Sequence, residues 1–342
     1  MKHRKYPTIT AFVLALALAQ IAPASVFNMP DPYESLDFVI VGDPGNVNDG
    51  FGHGGVDYEY LIGKYEVTNA QYTEFLKSVA TVGDVNELYV PSDQDEIIRT
   101  GSGTQAQPWT YSVGQGWGNR PVHSVTWYTT LRFANWLHNG QPTGGQTNAT
   151  TEDGAYTLTG KYAVADGDHP LHGPNGRNAA ATIWVPSHDE WYKPAYYKGE
   201  GTEHEDYWDY PTQSNDPPTP EPPPGTDMVN GSANYCNAVG DTTPVGAYDA
   251  KPSDSPYGTF DQGGNLWEWT EALIDATSER VVRGGSYSSS GCAYYLHRAS
   301  PYSFDPTIEF NDVGFRVAAV PEPATLSLLA LGGLGLIRRR RS

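Results

Sequence analysis

Cys236 and Cys292 are the only thiols in this 342-residue chain, which also carries nine histidines. A cysteine ligates a soft metal or attacks an electrophile as its thiolate, which needs a neighbour that lowers its pKa. His297 is the one histidine close to Cys292 in sequence, so a buried structural thiol is the expected role of Cys292. A disulfide between the two cysteines is the alternative in an oxidising compartment, and spacing alone does not reveal whether they meet. His169-Pro170-Leu171-His172 brings two histidines close in a glycine-rich stretch, but Pro170 disrupts the helical spacing a metal-binding pair needs, so the segment reads as loop. Trp267, Trp269, Tyr287, Tyr294 and Tyr295 offer ring faces that can line a groove for an extended peptide or a sugar, or fill a core. Core packing is the expectation for the two tryptophans, and an exposed loop for Ser288 to Tyr295. The net charge of −19 repels phosphate backbones and anionic lipid, which excludes nucleic acid as a partner and leaves room for divalent cations.

The elements that must position these residues are short. Thirty-seven glycines, twenty-seven prolines and an aromatic content of 12% suit a loop-rich fold pinned by ring packing rather than a helix bundle. Thr68-Asn69-Ala70-Gln71 fits a capping box, with Tyr72, Phe75, Leu76 and Val79 following at helical spacing, and predicts a helix over about 69–79. Ser124 is expected to cap a second helix that turns Tyr128, Leu131, Ala134 and Leu137 inward and stops at Asn139-Gly140. Ser187 and Glu190 form another capping box, but Pro194 removes a donor and crowds the Glu190 carbonyl, so that helix must be short or bent. Apolar runs at Phe38 to Val41, Val281-Val282 and Phe315 to Ala318 predict brief strands. Residues 199–225, acidic and with seven prolines between Pro211 and Pro224, read as an extended, solvated surface insertion. The length suits one large domain.

Both termini read as addresses. Lys2, Arg4 and Lys5 precede an apolar run from Ala11 to Ala19 and then Ala22-Pro23-Ala24, which gives a secretory signal over residues 1–24. At the other end Pro321-Glu322-Pro323 leads into the apolar stretch 324–337 and the arginines 338–341, within a segment spanning 320–342. That order resembles a PEP-CTERM sorting signal. The resemblance implies an exosortase-type processing partner and delivery to the bacterial cell envelope, cell surface or extracellular matrix, with 324–337 as a transient membrane anchor; an ordinary tail anchor is the alternative.

Six segments of the body carry a second resemblance: Tyr65-Glu66-Val67-Thr68-Asn69, Arg120-Pro121-Val122-His123-Ser124-Val125-Thr126-Trp127, Val185-Pro186-Ser187-His188-Asp189-Glu190-Trp191, Gly263-Gly264-Asn265-Leu266-Trp267-Glu268-Trp269, Arg283-Gly284-Gly285-Ser286-Tyr287 and Val313-Gly314-Phe315-Arg316. In order across residues 37–319, they resemble the signatures of the formylglycine-generating-enzyme, or sulfatase-modifying factor, family. The resemblance implies an α+β, irregular, loop-rich fold related to C-type lectins. It also implies a substrate groove under Ser286, Tyr287 and the following loop, to which Trp267, Ser289, Tyr294 and Tyr295 are further candidates.

Active members of that family oxidise a substrate cysteine with oxygen, using copper held by two cysteines soon after the motif matched here by Gly284-Gly285-Ser286. In this chain the two ligand positions fall at Ser289 and Tyr294, neither of which replaces a thiolate toward Cu(I), so copper is not expected. The family's structural calcium maps to Asp261, Gly264, Leu266 and Glu268, a mixture of oxygen donors that a hard cation prefers, although Glu268 can instead pair with Arg283 or Arg316. A second calcium position maps near Asn234 and Asp241, in a shorter loop. The expected function is a non-catalytic envelope or matrix protein that keeps the scaffold to bind a protein or glycan ligand, or as structure. The alternative is an oxidase converting a sulfatase cysteine to formylglycine, or a relative with altered chemistry that uses Cys292. A C-type-lectin-like sugar site lacks its usual EPN or QPD triplet here.

Overall fold

The computed structural model describes residues 27–92, 94–164, 176–199, 206–250, 253–274 and 278–321. In chain order its elements are β1 (Phe38–Val41), β2 (Tyr60–Gly63), α1 (Asn69–Val79), β3 (Ile97–Thr100), β4 (Thr110–Val113), α2 (Trp127–His138), β5 (Leu158–Gly160), β6 (Ala163–Val164), β7 (Ile183–Trp184), α3 (His188–Tyr196), β8 (Thr219–Pro220), β9 (Ser232–Ala233), β10 (Trp267–Leu273), β11 (Arg280–Arg283), a 3₁₀ turn (Cys292–Leu296), β12 (Tyr302–Phe304), β13 (Val313–Gly314) and β14 (Ala318–Ala319). One sheet runs β1-β2-β14-β7, a second β12-β11-β10-β13, and three two-stranded ribbons complete the α+β arrangement. Residues 1–26, which include the expected signal segment, the His169–His172 loop, and 322–342 lie outside the described residues.

The helices form where local chemistry predicts, with one exception. The Thr68 side chain accepts the Gln71 N–H while the Gln71 side chain accepts the Thr68 N–H, so α1 starts on a closed capping box. Thr126, not Ser124, caps α2: its side chain accepts the Thr129 N–H, whereas Ser124 stands at φ +57° and donates its N–H to the Phe310 carbonyl. A residue in the left-handed region cannot supply the extended Ncap geometry. Gly140, at φ +79°, ends α2 as expected. Ser187 and Glu190 close the box that starts α3, which stays short at nine residues. The Glu190 carbonyl, which loses its helical partner to Pro194, accepts the Tyr60 hydroxyl at 2.7 Å instead.

Aromatic rings join the layers. Phe133 of α2 meets Phe75 of α1 edge-on with centroids 5.4 Å apart, and Phe315 from the other side at 5.3 Å. Such pairs contribute about 1 kcal/mol each beyond their area burial. Phe315 to Val317 lie outside regular strand, but their backbone is still bound: Val67 N–H donates to the Phe315 carbonyl and Gly63 N–H to that of Val317.

The segment 206–225 is divided: residues 206–214 pack against the body, whereas Asn215, Asp216, Pro217, Pro220, Pro222 and Pro224 are exposed as the proline run predicts. Tyr207, Tyr210, Thr212 and Ser214 are buried, Tyr210 clusters with Ala233, Tyr235 and Leu296, and β8 pairs in parallel with β9. The Tyr235 hydroxyl donates to the Pro218 carbonyl at 2.5 Å and that of Tyr248 to the Glu221 carbonyl at 2.6 Å. Burying tyrosine rings while satisfying their hydroxyls anchors the segment to the body at these points.

Candidate functional site

Cys292 is neither a buried thiol nor a lone ligand or nucleophile: it is half-buried and forms a disulfide with Cys236, with Cα atoms 4.6 Å apart across 56 residues of sequence. Both cysteines sit at positive φ in turns, where the chain reverses and brings the two loops together. The Asn237 N–H donates to the Tyr287 carbonyl at 2.7 Å, so the same two loops are also joined by backbone.

The loop that follows β11 carries the groove candidates to different depths. Ser286 is fully buried, its Oγ 3.0 Å from the Oγ of buried Ser289 and 2.7 Å from Asp312 Oδ2, to which it donates. Gly285 allows this descent: at φ +74° a Cβ there would stand 2.9 Å from Leu296 Cδ1. Tyr294 is 66% exposed and stacks edge-on with half-buried Tyr295 at 5.3 Å. Trp267 belongs to the core, buried against Tyr295 and Tyr302, and so forms the floor beneath the loop rather than its binding face. Tyr287 is half-buried and lines a cavity of about 260 Å³ together with Pro91, Glu96, His123, Ser124 and Asn311.

The donor set does not fit copper. Both sulfurs are consumed by the disulfide, and the two positions matched to the family's ligands hold a buried serine hydroxyl and an exposed phenol. Neither is a soft donor for Cu(I).

Oxygen donors for calcium are a closer match, though with a different centre of weight. Glu268 is occupied: Arg316 donates to both carboxylate oxygens at 2.6 and 2.7 Å, and Trp191 Nε1 donates to Oε2 at 2.8 Å. Half-buried Asp261 accepts the Gly246 N–H, and buried Glu66 accepts Asn265 Nδ2 and the Leu266 N–H. Gly264 stands at φ +97°, where a Cβ would come 2.4 Å from the Asn234 carbonyl oxygen. Burial first, then the charges of Asp261 and Glu268, push the Glu66 carboxyl well up, and burial lifts Asp261 to about 6. Three carboxyls that share the Arg316 guanidinium in low dielectric are relieved by protons or by a divalent cation. Next to them Asn234 donates from Nδ2 to the Asp241 carbonyl, while its buried Oδ1 has no hydrogen-bond partner. An orphaned amide oxygen of this kind is a donor a hard cation can take, which Glu268, paired with Arg316, does not offer; the Asp241 carboxylate beside it accepts the Thr242 N–H and lies 3.5 Å from Arg120 Nη1.

His53, His188 and Asp189 bring ligand atoms within 4.8 Å of one another. The trio is nonetheless a poor metal centre. Arg283 donates its Nε to His188 Nε2 at 2.7 Å, which puts the imidazole proton on Nδ1 and a guanidinium beside any incoming cation. Burial, followed by the Arg283 charge, drives His188 down to about 3, so the ring is a neutral acceptor that orients Arg283. His188 acts as structure.

Sequence reading missed a different constellation. His123 Nδ1 lies 3.0 Å from Ser124 Oγ, and His123 Nε2 lies 3.3 Å from Glu96 Oε1 at the edge of the Tyr287 cavity. The adjacent His123 and Ser124 were visible in the second motif; Glu96 arrives from the turn before β3 and carried no local signal.

A short-helix, loop-rich α+β body is the fold class of this chain. Residues 53–320 match the sulfatase-modifying factor enzyme 1-like domain, and the chain belongs to that family. Residues 319–341 match the PEP-CTERM protein-sorting motif, which implies exosortase-type sorting and export to the envelope or surface. Of the motif itself, half-buried Pro321 is described, whereas Glu322 and Pro323 fall outside the described residues. The inactive C-alpha-formylglycine-generating enzyme 2 of Bos taurus is 33% identical over 82 residues, or 22% of this chain, and the chain spans about 26% of that relative's length. Among solved structures, the Treponema denticola variable protein 1 is similar over 86% of this chain and 98% of its own, with TM-score 0.49 and 19% identity. The structure of CarF covers 83% and 98% with TM-score 0.49 and 22% identity. Among the described residues no helix is long and apolar enough to cross a membrane.

Proposed function

We propose that this chain is an exported envelope or matrix protein that has given up cysteine oxidation and uses the family scaffold to bind a protein or glycan ligand in the groove beside Tyr287, Tyr294 and Tyr295. The observation that carries this reading is the loss of both soft donors: Ser289 and Tyr294 stand at the ligand positions, and the two cysteines bind each other. The Bos taurus relative named as inactive supports it in kind. Exposed Tyr294 beside half-buried Tyr295, on a loop pinned by a disulfide, suits recognition, since rigid rings give contact area at small entropic cost.

Calcium belongs to the same proposal. Asn234 Oδ1, Asp241 and Asp261, with the carbonyls of Gly264 and Leu266, are the oxygens that would hold it. Its role there is structural, fixing the base of the groove. Glu268 contributes through Arg316 rather than as a ligand.

Affinity electrophoresis of the purified mature chain through gels containing envelope polysaccharide, together with an array of envelope-protein peptides, tests the binding role. The reading expects retardation or capture that weakens at least tenfold in a Y294A/Y295F variant, which keeps the Tyr295 ring packed on Trp267. Binding that ignores the double substitution would place the ligand elsewhere.

A further inference from the structure

The groove holds a reactive set that neither copper chemistry nor simple binding requires. Glu96 and His123 are nearly enclosed, with 6% and 9% of their side chains exposed, while Ser124 stands half-buried at the cavity wall. His123 lies between the other two, its Nδ1 3.0 Å from Ser124 Oγ and its Nε2 3.3 Å from Glu96 Oε1. Glu96 Oε1 is buried and makes no hydrogen bond in this geometry, so the carboxylate acts on the ring as a charge 3.3 Å from Nε2; a proton held on Nε2 on that side leaves the Nδ1 lone pair to the serine hydroxyl, which is the polarity a general base needs. Although burial works against it, contacts with His123 and Ser92 hold Glu96 below the usual carboxylate range, so it stays ionised.

Ser124 itself is strained. A non-glycine residue at φ +57° costs on the order of 1 kcal/mol, and here the Ser124 N–H is clamped onto the Phe310 carbonyl. Thr126 supplies the helix cap, so capping does not account for the conformation. The strained turn places Ser124 on the wall of a cavity of about 260 Å³ also lined by Tyr287 and Asn311. Burial, then nearby Asp241, Asp312 and Glu96, push the Tyr287 phenol up, which keeps it an O–H donor.

We propose that Ser124, His123 and Glu96 form a nucleophilic triad that hydrolyses a small carboxylic ester, such as an acetyl group on a sugar hydroxyl, in this cavity. The proposal goes beyond a binding role and rests on the groove being the ligand site. Ser124 Oγ attacks the carbonyl carbon and forms a C–O bond while its proton passes to His123 Nδ1. Collapse of the tetrahedral adduct breaks the bond to the sugar oxygen, which leaves with that proton as an alcohol. Water then attacks the acyl-serine, gives one proton to His123, and releases the acid as Ser124 regains its hydrogen. The sum is ester plus water to acid plus alcohol, with no change of oxidation state. Tyr287 and Asn311 are the donors available to the developing oxyanion.

The test uses the full mature chain with p-nitrophenyl acetate and a fluorophosphonate probe. The triad predicts saturable hydrolysis and covalent phosphonylation mapped by mass spectrometry to Ser124. Hydrolysis should fall by roughly 100-fold or more in S124A and in H123Q, with a smaller loss and an altered pH profile in E96Q. Labelling of the unmodified protein needs no variant to fold. Absence of probe on Ser124, or hydrolysis unchanged in S124A, overturns the triad. Polysaccharide or peptide retardation measured on the unmodified chain, alongside its hydrolysis and labelling, separates a failed triad from a failed binding groove.

Discussion

Cys236 and Cys292 are bonded to each other with their Cα atoms 4.6 Å apart, and this bridge both occupies the two sulfurs and ties their loops together. The pairing removes the sulfur that a one-cysteine variant of the oxidation would need. It also fastens the loop carrying Tyr294 and Tyr295 to the turn that holds Asn237.

Reduction, or substitution by C236S, should therefore destabilise the protein by up to about 4 kcal/mol from loop-closure entropy alone. Thermal melts with and without dithiothreitol check this, and hydrogen exchange should show the loss concentrated in residues 286–296. Thiol titration of the unreduced, denatured protein should find no free cysteine. An unchanged melt would mean that the loops are held by other contacts.

Glu268 and Arg316 are fully buried partners. Replacing Arg316 by Met strands a carboxylate in low dielectric and should cost about 3–5 kcal/mol, or protonate Glu268. The double variant E268Q/R316M should recover a large part of that loss. Denaturant melts of the four-member cycle give the coupling directly, and strictly additive losses would show that the pair is not interacting.

Calcium should raise the melting temperature and EGTA should lower it, with saturating calcium at about 100-fold its Kd contributing ~2.7 kcal/mol. Asp261→Asn and Asn234→Ala should each reduce the shift, whereas Gly264→Ala should fail for steric reasons even in calcium. A melt indifferent to calcium would leave protons as the balance for Glu66 and Asp261.

His188 gives a pH signature. Its folded pKa lies near 3, below an unfolded value of about 6.5, so the unfolded chain binds the extra proton between those limits. Stability from this group is present above about pH 6.5 and is lost as pH falls toward 3. Asp261, raised to about 6, acts in the opposite sense: its stabilising contribution is fullest at low pH and is lost as pH rises through about 6. Comparing the wild type with H188Q by denaturant melts between pH 4 and 7 isolates the histidine: the variant should lose less stability on acidification. An equal slope would remove His188 from the acid response.

The parts legible in the sequence were those set by neighbours along the chain. The boxes at Thr68 and Ser187, the glycine stop at Gly140 and the paired motifs around Glu268 needed only local chemistry. Ser124 misled because serine is a good cap in isolation, and only the bond from its N–H to Phe310 forces the cap onto Thr126. The prolines from Pro217 to Pro224 are largely exposed as read, but the burial of Tyr210 just before them was not legible, since its partners come from Ala233, Tyr235 and Leu296. Pairing of the cysteines and the approach of Glu96 to His123 are tertiary facts with no periodic or spacing signal.

The central claim is that this member of the family has exchanged copper-thiolate oxidation for another use of its groove. Loading the purified mature chain with Cu(I), measuring bound copper, and assaying a CxPxR peptide for aldehyde under oxygen tests it most directly. The account predicts no stoichiometric copper and no aldehyde. Turnover that disappears on Cys292→Ser would contradict it and would require the Cys236–Cys292 bond to open in the working protein.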